Sequence, residues 1–175
     1  KGIKSSLLMS KASSLYRCLS KTIFSASALI KILNDEICET TTRGMFVTMI
    51  VGVYDKNKNE LLLSNAGHEP PLIFSKDGNF KTIDEAGPPL GIAPNFKFTE
   101  QTISFKESSM YIFTDGITEM KNNNGEMLGQ EGFQDYIKKY QNTPNNKRLQ
   151  KMIEDLIGSG RIQKDDLTIV TVDGK

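Results

Sequence analysis

Residues 45–114 alternate short apolar runs with sequences that favour tight turns. The β-branched, apolar run Met45 to Tyr54 is followed, after five charged and amide residues, by the run Glu60 to Ala66, and the two predict a β-hairpin. A second hairpin is predicted around the turn sequence Lys76-Asp77-Gly78-Asn79. The sequence therefore predicts strands that pair antiparallel.

Helical patterns flank this region on both sides. Residues 5–20 and 27–39 each carry one apolar stripe at helical spacing, and residues 133–140 and 149–157 carry two more. The run Leu167 to Val172 is predicted to be a last strand. Helices that precede and follow antiparallel strands indicate an α+β fold in which helices pack on the sheets. The length of 175 residues suffices for one domain with a hydrophobic core.

Composition excludes two classes of partner. The formal net charge is +1, from 22 basic and 21 acidic side chains, and the basic residues are scattered along the chain. A nucleic-acid interface needs a clustered basic face, so we expect none. No apolar run approaches the roughly 18 residues of a membrane span, and the first residues lack the apolar block of a signal peptide. We therefore expect a cytoplasmic protein.

Two groups of carboxylates stand at the ends of predicted strands. Asp115 directly follows the buried run Met110 to Thr114, and Gly116 allows a sharp turn and the close approach of another group. Asp165 and Asp166 stand directly before the last strand. Carboxylate oxygens that converge on one edge of the sheets would suit hard divalent cations such as Mg²⁺ or Mn²⁺. Asp-Gly and Asp-Asp pairs are also common in turns, so the residues alone leave both interpretations open.

The single histidine, His68, follows a predicted strand and precedes Pro70-Pro71. It could act as a general acid in catalysis. It could equally be a residue at a strand end that pins the proline-rich loop through hydrogen bonds. The residues alone favour the structural role without excluding the catalytic one.

Several other enzyme chemistries are excluded because the chain lacks their motifs. Cys38 and Arg43 are one residue too close together for the cysteine-phosphatase signature, and Cys38 lies at a predicted helix end rather than after a strand. The chain has no glycine-rich P-loop with its Lys-Ser/Thr pair and no Gly-x-Ser-x-Gly elbow. A nucleophile on the protein is therefore not predicted.

Five short segments together resemble one protein family. In chain order they are Met45-Phe46-Val47-Thr48, Asn65-Ala66-Gly67-His68-Glu69-Pro70-Pro71-Leu72, Pro89-Leu90-Gly91-Ile92, Tyr111-Ile112-Phe113-Thr114-Asp115-Gly116-Ile117-Thr118-Glu119 and Asp165-Asp166-Leu167-Thr168. Their order and spacing are similar to those of the PPM-type metal-dependent protein serine/threonine phosphatases of the RsbU/SpoIIE class. The resemblance extends over almost the whole chain, and the second and fourth segments are specific as a pair.

The resemblance implies a fold and a reaction. The family fold is a four-layer α/β/β/α sandwich, in which two antiparallel sheets lie between helical layers. Its members hydrolyse phosphoserine and phosphothreonine on proteins with two Mn²⁺ or Mg²⁺ ions, which generate the attacking hydroxide, so no catalytic side chain is expected. Asp115 and Asp165 fall on the family's metal-binding aspartates. Asp166, Gly116 and His68 are expected to support them.

The resemblance also implies that residues 1–175 are the phosphatase catalytic domain truncated at its N-terminus. Lys1-Gly2-Ile3 is similar to the end of the family's Gly-Asp-x-Ser-Gly-Lys/His-Gly stretch, and the aspartates that precede it in the family supply further metal ligands. Without those aspartates and their strands, we expect the chain alone to be inactive or weakly active. Open sheet edges could pair two copies into a homodimer. The first two helices correspond to a pair that acts as a switch in relatives, or they simply cover a sheet.

The function expected from the resemblance is hydrolysis of phosphoserine or phosphothreonine on a regulatory protein that resembles an anti-anti-sigma factor. Such phosphatases act in bacterial partner-switching pathways, which regulate sigma factors in stress responses, and an upstream sensory domain normally precedes them. The alternative is a non-catalytic binding or scaffold module with a degenerate phosphatase fold. The N-terminal aspartates of the full-length protein would separate the two, because only the enzyme needs them.

Overall fold

The computed structural model describes residues 2–40, 44–105 and 107–174. The motif residues Lys1 and Arg43 lie outside these ranges. In chain order the elements are α1 (Ile3–Leu19), α2 (Ala26–Thr40), β1 (Met49–Asp55), β2 (Glu60–Ala66), β3 (Leu72–Ser75), β4 (Phe80–Thr82), β5 (Gln101–Ser104), β6 (Ser108–Phe113), α3 (Asp115–Thr118), α4 (Gly129–Tyr140), α5 (Asn145–Gly158) and β7 (Ile169–Asp173).

These elements form two compact units. The first comprises residues 1–70 and 83–106 and contains α1, α2 and a three-stranded antiparallel sheet in the order β1-β2-β5. The second comprises residues 71–82 and 107–175 and contains α3, α4, α5 and a four-stranded antiparallel sheet in the order β4-β3-β6-β7. The predicted α+β fold with two antiparallel sheets is thereby confirmed.

The β1–β2 hairpin of the first unit lies where the sequence predicts it. Asp55 pairs with Glu60 at the end of the ladder. The turn closes because Asp55 Oδ1 accepts hydrogen bonds from the backbone N–H groups of Asn57 (2.9 Å) and Lys58 (3.2 Å). Asn59 completes it with a φ of 54°, a left-handed conformation that asparagine adopts more readily than most residues. The polar run after β1 is therefore a turn that its own first side chain shapes.

One face of α2 supplies most of the helical residues in the core of the first unit. Its buried apolar residues recur at the helical spacing that predicted the helix, and they pack with residues of β1, β2 and the later loop. The buried cluster consists of Leu8, Ala12, Ala26, Leu29, Ile30, Leu33, Ile37, Val47, Val51, Ala66, Leu90 and Phe98. α1 contributes two of these residues, so its hold on the unit is weaker than that of α2.

The core of the second unit lies between one face of its sheet and α4 and α5. Alternate residues of β3 and β6 enter it, as the two-residue period of a strand requires. The buried cluster consists of Leu72, Phe74, Tyr111, Phe113, Ile117, Met120, Leu128, Phe133, Ile137, Met152 and Leu156. The rings of Phe113 and Phe133 lie 4.8 Å apart between centroids, so the last residue of β6 is anchored in this core.

The element boundaries differ from the prediction at two places near the candidate site. The predicted strand Leu167 to Val172 is β7, which begins two residues later at Ile169. The ladder ends there because Thr168 N–H donates to the side chain of Thr114 rather than to its backbone (3.1 Å). Asp115-Gly116, predicted to be a break after the strand, instead begins the short helix α3.

Membrane-spanning helices are absent from the described part of the chain, because none of its helices is both long and apolar enough to cross a bilayer. The longest of these helices, α1, has 17 residues. It carries Lys4, Lys11 and Arg17 among many serines, so it is too polar to cross a bilayer.

Candidate metal centre

Asp115 stands where the buried strand β6 leaves the core of the second unit. Met110, Tyr111 and Phe113 are at most 1% exposed, whereas Asp115 is exposed. Thr114 between them is extended, with φ −92° and ψ 157°, and acts as the N-cap residue of α3. The strand therefore fixes the backbone that bears Asp115 and leaves its carboxylate in solvent.

Gly116 brings the backbone of the second aspartate pair against the first. A Cβ atom at Gly116 would lie 2.3 Å from the carbonyl oxygen of Asp166 and 3.5 Å from the carbonyl carbon of Asp165. Real Cβ atoms do not approach a backbone oxygen so closely, so this position requires glycine for its lack of a side chain. The chain segments that carry Asp115 and Asp165 are therefore in direct contact.

Three hydrogen bonds from Thr114 hold this contact together. Its N–H donates to the carbonyl oxygen of Thr168 (3.2 Å), and its Oγ1 accepts from the N–H of Thr168 (3.1 Å). The same hydroxyl donates to the carbonyl oxygen of Asp166 (3.2 Å). A threonine at the end of β6 thus joins the two aspartate segments, which are about 50 residues apart along the chain.

The aspartates at this edge offer oxygen donors of the kind that hard divalent cations prefer. Asp115, Asp165 and Asp166 are all exposed. Asp165 Oδ1 accepts a hydrogen bond from the N–H of Asp166 (2.9 Å), and its carbonyl oxygen accepts one from Gln163 Nε2 (3.0 Å). Over residues 2–40, 44–105 and 107–174, no group of three or more His, Cys, Asp or Glu side chains is arranged to hold a metal ion. The carboxylate donors present suit Mg²⁺ or Mn²⁺ in their chemistry.

His68 belongs to the first unit, where Asn65 holds its backbone. The buried Asn65 side chain donates from Nδ2 to the His68 carbonyl oxygen and accepts the His68 N–H at Oδ1, both at 2.9 Å. The ring is partly exposed, and its Nδ1 lies 3.2 Å from Thr48 Oγ1. This geometry supports the loop-pinning interpretation of the motif, with Asn65 rather than the imidazole as the pinning group.

The loop that bears Pro89-Leu90-Gly91-Ile92 packs against the same motif. Gly67, at φ +65°, passes so close to Pro89 that a Cβ atom would lie 2.5 Å from the proline ring. From α2, the buried Asn34 accepts the Gly91 N–H at Oδ1 (3.1 Å) and donates to the Ala93 carbonyl oxygen (2.8 Å). Sequence reasoning missed Asn34. Its signal was a polar residue between the apolar stripe positions of α2.

A carboxylate of the first unit is used as a helix cap. Glu100 Oε1 accepts from Ser25 Oγ (2.6 Å), from the Ser27 N–H (2.7 Å) and from Ser27 Oγ (3.0 Å), at the start of α2. Burial raises the pKa of the Glu100 carboxyl, but these hydrogen bonds together outweigh it and hold the pKa below its ordinary value. The charged form is thus favoured beside the positive end of the helix dipole.

Comparison with known proteins gives relatives over the whole chain. The family described as stage II sporulation protein E (SpoIIE) matches residues 1–175. Protein IcfG of Synechocystis sp. is 30% identical over 151 residues, which cover 82% of this chain and 23% of IcfG. The phosphoserine phosphatase RsbU of Bacillus subtilis is 27% identical over 175 residues, which cover 98% of this chain and 52% of RsbU. The chain therefore spans about half or less of the length of these curated relatives.

Solved structures share the fold at lower identity. The SiaA-PP2C domain of Pseudomonas aeruginosa has a TM-score of 0.81 at 15% identity. The match covers 99% of this chain and 72% of the SiaA-PP2C chain. The manganese-presoaked SpoIIE phosphatase domain of Bacillus subtilis has a TM-score of 0.61 at 18% identity, and the match covers 91% of this chain and 70% of that domain's chain. RsbX in complex with magnesium has a TM-score of 0.66 at 16% identity, and the match covers 94% of this chain and 71% of the RsbX chain. The predicted phosphatase fold is thereby confirmed. Because the family match covers every residue, the chain belongs to the stage II sporulation protein E family, the RsbU/SpoIIE-like class of PPM-type phosphatases that its motifs predicted.

Proposed function

We propose that this chain is part of a metal-dependent phosphatase that removes phosphate from serine or threonine on a regulatory protein. The observation that carries the proposal is the contact of Gly116 with the Asp166 backbone, by which the Asp115 and Asp165 segments adjoin. Family membership and the similarity to the phosphoserine phosphatase RsbU support the reaction class. The carboxylate donors support a hard divalent ion rather than zinc bound through sulfur or nitrogen.

The proposed cofactors are Mn²⁺ or Mg²⁺, held by Asp115 and Asp165 together with further ligands. Two such ions, when bound, would supply activation of water and neutralisation of charge on the phosphoryl group. The chain's own part is positional. β6 anchors Asp115 through its buried residues, and the Asp166 carbonyl oxygen accepts the Thr114 hydroxyl, so Asp166 supports the site through its backbone.

Two carboxylate segments are too few for a two-ion site, because each hard cation of this kind takes about six oxygen ligands. We therefore propose that residues 1–175 are the C-terminal part of the catalytic domain and that the full-length protein supplies the remaining ligands. It would also supply an upstream sensory domain. The proposed substrate is a phosphorylated protein resembling an anti-anti-sigma factor, in a cytoplasmic partner-switching pathway, as the motif resemblance to the RsbU/SpoIIE class implies.

The test is hydrolysis of p-nitrophenyl phosphate by the full-length protein, with and without Mn²⁺. We expect activity that requires the metal and falls by about 100-fold or more in Asp115→Asn and in Asp165→Asn, because each change removes a charged ligand. Asp77→Asn is the matched control. Asp77 lies in the exposed turn after β3, where it accepts hydrogen bonds from Asn79.

Two results would contradict the proposal. One is metal-independent hydrolysis, and the other is an Asp115→Asn protein as active as the Asp77→Asn control. A full-length protein that binds the phosphorylated partner without hydrolysing it, in any divalent metal, would establish the non-catalytic binding module instead. Residues 1–175 assayed alone should show little or no activity.

A further inference from the structure

The hydroxyl of Thr114 takes the place of a backbone carbonyl at the end of the β6–β7 ladder. The last pair of that ladder is Phe113 with Ile169, and the same register places Thr114 opposite Thr168. A hydrogen-bonded antiparallel pair exchanges two bonds between backbone N–H and carbonyl groups. Here the Thr114 N–H donates to the Thr168 carbonyl oxygen (3.2 Å), but the Thr168 N–H donates to Thr114 Oγ1 (3.1 Å). The side chain therefore supplies one of the two acceptors of this pair.

The backbone carbonyl of Thr114 is used in the next helix instead. Its oxygen accepts the Ile117 N–H (3.0 Å), a bond of the first turn of α3. An N-cap residue has extended dihedral angles while its carbonyl already accepts within the helix, and Thr114 has both properties. Because the hydroxyl bonds to Thr168, the carbonyl can turn toward α3, which Asp115 begins. The chain thus leaves β6 without losing its connection to the lead-in of β7.

The same hydroxyl also holds the segment of the second aspartate pair. Thr114 Oγ1 donates to the Asp166 carbonyl oxygen (3.2 Å) while it accepts the Thr168 N–H. A hydroxyl has one donor and two acceptor positions, so both bonds can form at once. The Asp165 carboxylate is tied to this backbone in turn, because its Oδ1 accepts the Asp166 N–H (2.9 Å). One side chain therefore fixes the backbone of both aspartate segments.

Few side chains can replace threonine in this arrangement. Valine has nearly the same shape and the same branched Cβ atom, but it can neither accept from the Thr168 N–H nor donate to the Asp166 carbonyl oxygen. Serine keeps the hydroxyl and loses only the methyl group. Thr114 is partly exposed, so water can bond to the groups that a valine would leave unpaired. Water does not link the two chain segments at a fixed separation, however, and that separation is what the hydroxyl determines.

We propose that Thr114 is a positioning residue that sets the affinity of the Asp115 and Asp165 carboxylates for a divalent ion. The inference rests on the proposed phosphatase function and deepens it. Ligands that the protein already holds in place bind an ion more tightly than ligands that the ion must first order. Loss of a group that orients metal ligands typically weakens metal binding by roughly 10- to 100-fold. Thr114 therefore acts on the ion through the backbone of both segments and is not itself a ligand.

The experiment measures the dissociation constant of Mn²⁺ for the full-length protein by isothermal titration calorimetry. In Thr114→Val we expect Mn²⁺ to bind about tenfold more weakly, because the ion must then order the Asp165 segment itself. Thr114→Ala also lacks the hydroxyl and should behave in the same way, whereas Thr114→Ser should stay within about twofold of wild type.

Hydrolysis of p-nitrophenyl phosphate gives a second readout on the same proteins. The Mn²⁺ concentration for half-maximal activity should rise about tenfold in Thr114→Val, in step with the weaker binding. At saturating Mn²⁺, kcat should fall by less than about threefold, because the ion then restores the positions of its ligands. A residue that contributes only to stability would lower the free energy of unfolding in urea without changing the Mn²⁺ affinity of the folded protein.

Thr171→Val is the matched control, because Thr171 lies within β7 and pairs with Tyr111 inside the regular ladder. It removes a threonine hydroxyl from the same sheet and should leave the Mn²⁺ affinity unchanged. Wild-type affinity in Thr114→Val and Thr114→Ala, or a Thr114→Ser protein as weak as these two, would overturn the positioning role while the phosphatase function stands. Wild-type full-length protein that neither binds Mn²⁺ nor hydrolyses p-nitrophenyl phosphate with it would overturn the proposed function, and the positioning role with it.

Discussion

The two units use their polar side chains in opposite ways. In the first unit, the buried amides of Asn34 and Asn65 are bonded to backbone groups, and the Glu100 carboxylate caps a helix. In the second unit, Asp115 and Asp165 are exposed, the first just after β6 and the second shortly before β7. There the bonds that hold the edge come from Thr114 and from backbone groups.

This difference separates polar residues that hold the chain's own backbone from carboxylates that remain exposed to solvent. A buried polar group bonded to backbone is costly to remove for stability, because its partners lose their hydrogen bonds. An exposed carboxylate costs little stability to change and acts through what it binds. The contrast predicts that substitutions in the first unit act mainly on folding, whereas substitution of the carboxylates in the second acts mainly on metal-dependent activity.

Gly116 is the strongest exception to this contrast, because it belongs to the second unit but acts through packing. Gly116→Ala would place a Cβ atom 2.3 Å from the Asp166 carbonyl oxygen, which is backbone and cannot rotate away. We expect the free energy of unfolding to fall by about 3 kcal/mol, and metal-dependent activity to fall with it, because overpacking displaces one aspartate segment from the other. Urea denaturation of the wild-type and Gly116→Ala proteins measures the change in stability, and phosphatase assays of the same two proteins measure the change in activity.

Gly158→Ala is the control for that substitution. Gly158 ends α5, and a Cβ atom there would meet nothing within 4 Å. Its stability should be unchanged or slightly higher, since alanine is a better helix former than glycine. A Gly116→Ala protein as stable and active as Gly158→Ala would show that the two aspartate segments do not need their close contact.

Asn65→Ala tests the first unit, in which a buried amide is expected to contribute to stability. Asn65 is fully buried, and the substitution removes both of its hydrogen bonds to the His68 backbone. The N–H and the carbonyl oxygen of His68 then lose these partners. We expect about 2 kcal/mol of destabilisation in chemical denaturation. Asn123→Ala, in an exposed turn, should change stability by less than about 0.5 kcal/mol. Similar values for the two would show that the Asn65 side chain is not needed to hold this loop.

The smallest expected effect concerns Glu100, whose carboxylate caps the start of α2. The hydrogen bonds to Ser25 and Ser27 lower its folded-state pKa below the ordinary value of 4.5, so its charged form stabilises the folded chain above that pH. Glu100→Gln should cost about 1 kcal/mol at pH 7, the usual value of a helix cap. The difference should shrink as the pH falls below about 4.5, through the lowered pKa. A difference that is constant from pH 7 to pH 3 would contradict the capping role of the charged carboxylate.

Local signals were enough for part of this molecule. The hairpins and the stripes of α2, α4 and α5 follow from turn residues and periodicity, which act over a few positions. The proximity of Asp115 to Asp165 was also within reach, because Asp115 follows β6 and Asp165 precedes β7, and antiparallel neighbours bring such ends together. Gly116, with its missing side chain, was the clue to the close approach.

Long-range partnerships could not be predicted in this way. Glu100 caps α2 from about 73 residues away, and no local pattern connects it with Ser27. Asn34 is recognisable only as a polar residue in an apolar stripe, and its partners in the later loop depend on tertiary structure. The bridges of Lys121 with Met127 and Ile162 lie outside regular strands, where periodicity gives no signal.

The joining of Thr114 to Thr168 also sets an order of events during synthesis. The ribosome delivers the N-terminal part of a chain first, at about 5–20 residues per second. β6 and Asp115 therefore emerge several seconds before the segment of Asp165 and the strand β7. In a nascent chain that ends before Asp165, Thr114 lacks its partners Asp166 and Thr168, and the two aspartate segments are not yet joined. The candidate metal centre is thus among the later features of this chain to form.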